Sequence, residues 1–309
     1  MSDFTTGMTG VAVADDGIVL AYDKAFLLAA TETNTIDQFV TYREDIGAKS
    51  ITITKYSQLN AATTALTDKE DPDSTALADS AIVLTPAEYG NVVTTTRLAN
   101  LQNAGKVDVA AAQLVGINAG KTHNRLAILA AEASTNATTV TGGAENELVA
   151  GNVMTAAYLN TLYNKLARAS VPGLAGDMYV AVMHDDVIHD LRNATAAGSW
   201  QDVSKYTSSE SVFRNEVGAL GGFRIIRNND ITINTDAGAA AVDTYHTICL
   251  GKNGLGKAVS QPTGMRVTGP FDKLARFVNF GWYGVFAYGI VDTDAVWIGT
   301  TASSVGVNA

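Results

Sequence analysis

The clearest pattern in the chain is the alternation of Ser50-Ile51-Thr52-Ile53-Thr54-Lys55-Tyr56, where apolar and polar residues swap at every step of a β-branched run. Side chains on a strand point to its two faces in turn, so this spacing predicts a strand with one buried face. The segment Thr67-Asp68-Lys69-Glu70-Asp71-Pro72-Asp73-Ser74 then breaks any regular element by charge and proline. Two more strand-like runs follow, Ala81 to Leu84 and Asn91 to Thr96. Together they predict a two-stranded excursion from about residue 48 to about residue 97. An isolated ribbon of two strands is marginal in water and cannot bury both faces, so it is expected to find its support on another subunit. Removal of residues 58 to 90 is expected to leave a folded core.

From Lys106 to Glu132 the period becomes helical, with Ala111, Val115, Ala119, Thr122, Leu126, Leu129 and Ala133 recurring at steps of four and three. Such a helix is about 40 Å long and presents a stripe of small residues. Gly116 and Gly120 weaken it and offer either a close backbone approach or a bend. A second helix is predicted from about Thr155 to Ala169, with Leu159, Leu162, Tyr163 and Leu166 on one face and Pro172-Gly173 beyond its end. Asp177 to Met183 reads as a buried strand, after which Asp185 can cap a short helix carrying Val187, Ile188 and Leu191. A short helix at Val212-Phe213 precedes strands at Phe223 to Arg227 and Thr244 to Leu250. Arg266 to Thr268, Phe277 to Tyr288 and Val296 to Ile298 close the chain as aromatic-rich strands. The first 35 residues or so carry scattered Gly and Thr and read as an extended arm with one short helix at most, around Ile18 to Tyr22. The fold class is mixed α+β, without the regular alternation of a parallel α/β protein.

Composition narrows the function. Of 309 residues 47% are hydrophobic and only 17% charged, so the surface is short of charge in the way of a surface that partners cover. The net charge of −10 opposes tight nucleic-acid binding, which needs clustered Lys and Arg. The lone cysteine, Cys249, lies in an apolar run and cannot form a disulfide within the chain. No run approaches the ~18 apolar residues of a membrane span and no leader pattern opens the sequence, so synthesis in the cytosol is expected.

Candidate chemistry is thin. Gly251-Lys252-Asn253-Gly254-Leu255-Gly256-Lys257 has the spacing of a phosphate-cradling loop, but Ala258 stands where a hydroxyl must reach magnesium, and Pro262 leaves no room for the helix. A glycine turn between strands explains it. His184, Asp185, Asp186, His189 and Asp190 cluster in sequence, yet their spacing does not converge on a helix, and a cap plus a solvated acidic face accounts for them. His123 and His246 are isolated, and no nucleophile elbow occurs. Arg266 to Arg276, with Phe271 and Phe277, is too sparse for nucleic-acid readout and reads as a subunit contact loop. No catalytic, cofactor or metal residues are assigned.

The order of arm, long β excursion, long helix, second helix, strand-turn-helix and aromatic strands resembles the major capsid proteins of tailed phages. Their fold is named after Hong Kong phage ninety-seven and is shared with herpesvirus floor domains. Three segments resemble the branch named after phage N-four: Met178-Tyr179-Val180-Ala181-Val182-Met183-His184-Asp185-Asp186-Val187 with Asp190-Leu191-Arg192, then Glu216-Val217-Gly218-Ala219-Leu220-Gly221-Gly222-Phe223-Arg224-Ile225-Ile226, and Gly269-Pro270-Phe271-Asp272-Lys273-Leu274-Ala275-Arg276 leading to Gly281-Trp282. Asp185 departs from the Pro expected after the His. The resemblance implies a subunit of hexamers and pentamers in an icosahedral shell around double-stranded DNA, located in the virion and assembled in a bacterial cytoplasm.

The resemblance further divides the chain into an N-terminal arm (1–35), an extended loop and its base (36–100), a peripheral domain with the spine helix (101–176), an axial domain (177–262) and peripheral C-terminal strands (263–309). It implies a separate scaffolding protein, a portal and a candidate decoration protein as partners, with no membrane. Subunit-interface candidates are Ile51, Ile53, Lys55, Tyr56, Asp71, Val93, Arg97, Phe271, Asp272, Arg276 and Trp282. Some relatives cross-link a loop lysine to an asparagine, and Lys49, Lys55 and Lys69 lie in or near the loop, although solvated or salt-bridged lysines explain them as well. A tail-tube or decoration protein is the alternative reading.

Overall fold

The computed structural model describes residues 24–194 and 216–305, apart from 31–33, 57, 58, 60, 67, 69, 70, 72, 73, 104, 105, 175 and 275. The helix expected at Val212-Phe213 and the Ile18 to Tyr22 segment lie outside the described residues. Helix α1 (24–30) leads to β1 (Thr41–Glu44), and a ribbon of β2 (Ile51–Tyr56) and β3 (Asp79–Leu84) follows. Then come β4 (Ala87–Thr96), α2 (Arg97–Gln102), α3 (Lys106–Glu132), β5 (Ala137–Thr139) and α4 (Ala156–Arg168). Next are β6 (Tyr179–Met183), α5 (Asp185–Asn193), β7 (Glu216–Leu220), β8 (Phe223–Arg227), β9 (Ile233–Asn234) and β10 (Thr244–Leu250). The long strands β11 (Leu255–Phe271) and β12 (Phe277–Ile290) precede β13 (Val296–Thr301).

The strands form a four-stranded sheet, β1-β11-β12-β4, a seven-stranded sheet, β5-β13-β10-β6-β8-β7 with β9 beside β10, and the separate ribbon. The sheets cut across the expected segments. The run after Leu84 was expected to extend the excursion, but β4 pairs with β12 from Ala87 opposite Phe286 to Thr96 opposite Phe277. Thr85-Pro86 breaks the two apart, because proline has no N–H for a ladder. The projecting hairpin is therefore shorter than residues 48 to 97. Likewise β13 pairs with β10, outside the peripheral C-terminal group, and β11 leaves the axial segment for the four-stranded sheet.

Helix α3 joins the two sheets. Ala111, Val115 and Ala119 pack with Phe26 of α1 onto Val259, Phe280, Trp282 and Phe286 of the four-stranded sheet. Ala127, Ile128 and Ala131 pack onto Val180, Val182, Ile226, Ile248 and Ile298 of the seven-stranded sheet. The buried stripe includes His123 and Asn124, and Leu126 packs against the core of the four-stranded sheet as expected, whereas Leu129 turns outward. Leu129 is 46% exposed. Gly116 admits a close approach, since a Cβ there meets the Phe26 carbonyl oxygen at 2.6 Å.

The opposite face of the seven-stranded sheet is covered by α4 and α5. Tyr179, Ala181 and Met183 point there while Val180 and Val182 point to α3, which is why β6 reads as an unbroken apolar run. Thr155 caps α4, accepting from Tyr158 N (3.2 Å). The cap of α5 is His184, whose Nδ1 accepts from Asp186 N (3.2 Å), and not Asp185. Asp190, expected on a solvated face, is buried and accepts from the Ser304 amide and hydroxyl.

Two polar networks lock α3 in place. The Thr35 hydroxyl donates to Asn124 Oδ1 (3.1 Å), Asn124 Nδ2 donates to Asn228 Oδ1 (3.1 Å) and Asp230 Oδ2 (2.7 Å), and Asn228 Nδ2 donates back to Thr35 Oγ1 (2.7 Å). Buried amides closed on one another in this way avoid the cost of unsatisfied polar groups. In the second network Tyr288 donates to Asp37 Oδ1 (2.6 Å), so its oxygen is left to accept from His123 Nδ1–H (2.9 Å). His123 Nε2 then accepts from the Thr263 hydroxyl (2.8 Å), and Lys257 pairs with Asp37. Neither histidine once read as isolated is so: His246 Nδ1 lies 3.5 Å from Glu132 and its Nε2 3.9 Å from Glu145.

Burial, reinforced by the positive charge of Lys257, lowers the pKa of His123 from 6.5 to about 4. As pH falls the unfolded chain binds this proton first, so the contribution to stability is complete above pH 6.5 and is lost as pH drops toward 4. The expected loss is about 1.4 kcal/mol per pH unit across that window. Denaturant titrations of wild type and His123→Gln should converge as pH falls through it. A difference that stays constant from pH 7 to 4.5 would contradict the assignment.

Candidate assembly surface

The ribbon is a sheet of its own and, among the described residues, packs through its root. Ile51, Ile53 and Leu84 pack with Ala258 and Val291 in a small cluster of their own. Two glycines make the room. A Cβ at Gly256 meets Val291 Cγ2 at 2.5 Å and Ile53 Cδ1 at 2.8 Å, and one at Gly289 meets Leu84 Cδ2 at 2.4 Å. Lys55 Nζ reaches Asp292 Oδ1 (2.7 Å) and ties the ribbon to the segment after β12. Val83, on the other face of the root, and Tyr56 at the far end of β2 are about three-fifths exposed, as are Leu59 and Leu77, and Leu66 is 78% exposed. Large apolar side chains of this kind along one projection are a contact surface without its partner.

The sequence candidates therefore divide. Tyr56 and Asp71 lie exposed on the ribbon and its tip, while Lys55 is half-buried and already paired. Ile51 and Ile53 face the subunit's own root and are not available to a neighbour. Trp282 is likewise internal, its Nε1 donating to Asn118 Oδ1 of α3 (2.8 Å). Val93 is exposed on β4. Arg97, Asp272 and Arg276 meet at the far end of the four-stranded sheet, where Arg97 N donates to the Arg276 carbonyl (2.8 Å) and Arg276 Nε to Asp272 Oδ2 (2.8 Å). Phe271 is described by its backbone, which pairs with Phe277. Sequence reading missed Gly256, Gly289 and Asp292, and also the exposed Leu98 and Leu101 of α2. A glycine inside a strand is the signal that could have shown the first two.

The chemical candidates disperse. Residues 251–254 form a turn, and β11 begins at Leu255 where a phosphate loop needs a helix. Asp185 interacts with Arg227 and Asn229, Asp186 with Tyr245, and Asp190 with Ser304. Among the described residues no group of three or more His, Cys, Asp or Glu converges on a metal position, and no helix is long and apolar enough to cross a membrane. The Cys249 thiol is fully buried and pushed well above its ordinary pKa by burial. A cleft of about 410 Å³ opens beside α1 and α3, but Asp37, His123, Lys257 and Thr263 on its wall are bonded within the network already described.

No protein-family model and no curated protein matches the sequence. Solved structures match the fold. The capsid of Ralstonia phage GP4 superposes with a TM-score of 0.72 at 13% identity, over 86% of this chain and 87% of that one. The capsid of cyanophage Pam1 gives 0.65 at 13% identity, over 86% and 89%. A virus-like particle from Pyrococcus furiosus gives 0.55 at 13% identity, over 91% and 98%. The ribbon, the joining helix and the two sheets of this chain together make the tailed-phage major capsid fold, the one named after Hong Kong phage ninety-seven.

Proposed function

We propose that the chain is a major capsid subunit that assembles into hexamers and pentamers of an icosahedral phage head around double-stranded DNA, with no enzyme activity. The observation that carries this reading is the ribbon: a structure matched to phage capsid subunits over most of its length projects a hairpin that, among the described residues, leaves Tyr56, Leu59, Leu66, Leu77 and Val83 exposed. In a shell the ribbon lies on a neighbouring copy. The seven-stranded sheet with α4 and α5 then forms the axial domain, and the four-stranded sheet with α3 the peripheral one. Arg97, Asp272 and Arg276 are placed at contacts between capsomers. A scaffolding protein, a portal and a decoration protein remain the proposed partners, assembly the work of the host cytoplasm.

The acidic, charge-poor chain supports a wall that does not grip its content. The Pyrococcus particle shares the fold, so nuclease-resistant DNA inside native particles is the expected sign of a phage head, and a protein-filled shell would overturn that part.

Electron microscopy of the expressed chain, alone and with a co-expressed scaffold, is expected to show closed icosahedral particles. Open tubes would favour a tail protein, and a persistent monomer would overturn the assembly reading. The 58 to 90 deletion needs trimming, since it takes away β3 and the start of β4. Replacing residues 57–78 with Asn-Gly keeps the ladder and should leave subunit stability within about 1 kcal/mol while abolishing shells. Normal particles from that variant would show that the tip is dispensable. Gly289→Val drives a side chain into Leu84 and should cost about 1–3 kcal/mol. Proteolysis within 51–84 should rise with it, whereas Lys55→Ala should change stability by less than about 1 kcal/mol.

A further inference from the structure

We infer that Asn253 is a modification site at which the chain rearranges spontaneously, losing its side-chain amide as ammonia through attack by the backbone nitrogen of Gly254. The chemistry belongs to the single subunit and does not depend on the assembly reading. Asn253-Gly254 is the one Asn-Gly pair in the sequence, and it lies in the turn of residues 251–254 that joins β10 to β11. That turn imposes both residues. Asn253 has φ +61°, in the left-handed region that asparagine tolerates better than most side chains. At position 254 a Cβ would lie 2.9 Å from the Ala295 carbonyl oxygen and 2.9 Å from Val296 Cγ2, so glycine is what lets the turn pack against the start of β13. The pair that fits here is also the pair with least steric protection, because no side chain at 254 shields the nitrogen from the neighbouring carboxamide.

The surroundings favour the attack. Asn253 is exposed to the water that must complete the reaction. The Gly254 N–H donates to the Gly251 carbonyl at 3.3 Å, beyond the usual length of such a bond, so freeing the nitrogen costs little. The Thr41 hydroxyl of β1 donates to Asn253 Oδ1 (3.2 Å), which draws electrons from Cγ and stabilises that oxygen as it gains negative charge. Solvent takes the Gly254 amide proton, the nitrogen bonds to Cγ, and the Cγ–Nδ2 bond breaks as ammonia leaves with a proton from solvent. Water then opens the five-membered imide. Attack at Cγ gives aspartate, and attack at the main-chain carbonyl gives isoaspartate.

The two products differ in what they do to the subunit. Aspartate keeps the length of the main chain, and its carboxylate still accepts from Thr41. Isoaspartate routes the main chain through a side-chain carbon and lengthens the turn by one atom. The carbonyl of Gly254 accepts from Val291 N (2.9 Å) and Asp292 N (3.3 Å), and Asp292 holds Lys55 of the ribbon (2.7 Å). A lengthened turn displaces that carbonyl, so isoaspartate at 253 loosens the seat of the ribbon from a position outside it.

Peptide mapping of the wild-type subunit, aged at mildly alkaline pH and fragmented so that aspartate and isoaspartate are told apart, tests this directly. Conversion at Asn253 should outpace that at any other asparagine by about tenfold and should rise with pH. It should run in the folded subunit within about tenfold of its rate in the urea-unfolded chain. If Asn253 stays intact in the folded subunit while the unfolded chain converts, the inference is wrong. Thr41→Val removes the hydroxyl from an exposed position and should slow conversion by about threefold. An unchanged rate would refute the part given to that hydroxyl. Aged subunit rich in isoaspartate should be cut within 51–84 faster than Asn253→Asp, and equal cutting would refute the effect on the ribbon's seat.

Discussion

The interaction on which the molecule depends is the packing of one 27-residue helix against two sheets at once. A helix about 40 Å long behaves as a single rigid element, so the faces it serves cannot move independently. Small side chains let it lie close: Ala111, Val115 and Ala119 on one sheet, Ala127, Ile128 and Ala131 on the other. Between these apolar halves sit His123 and Asn124, whose hydrogen bonds reach β11, β12, the residues around Thr35 and the loop after β8. Apolar contact supplies most of the attraction, but it tolerates sliding. Directional bonds from two adjacent buried residues fix the rotation of the helix.

The ribbon inherits its direction from that arrangement. Its root sits on β11 and at the end of β12, through Ala258, Gly256 and Gly289, and both strands are held from behind by α3. The same chain therefore has a firmly specified body and a projection specified only at its base. That asymmetry supports the proposed assembly, in which the body is stable alone and the projection gains its remaining contacts when copies meet.

Much of this was legible in the sequence where the signal is local. The boundaries of α3 and the strand at Ile51–Tyr56 follow from periodicity. What could not be read is which surface a periodic face meets. Ile51 and Ile53 alternate as a buried face must, but alternation is silent about whether the cover comes from the same copy or another. β4 has the same period whether it extends the ribbon or joins β12, although Pro86 marked the break. On α3 Leu126 packs against the core as its spacing predicts but Leu129 does not, and the chain buries His123 and Asn124 in hydrogen-bonded networks that no hydropathy pattern reveals.

The length of β11 and β12, 17 and 14 residues, has a mechanical consequence. The ribbon's root is keyed into this pair, so a pull that runs along these strands loads many ladder bonds in parallel. Strands pulled along their axis must break those bonds together, whereas strands pulled apart sideways unzip one pair at a time. In the proposed shell, a wall stretched along β11 and β12 would meet the direction this hairpin resists best.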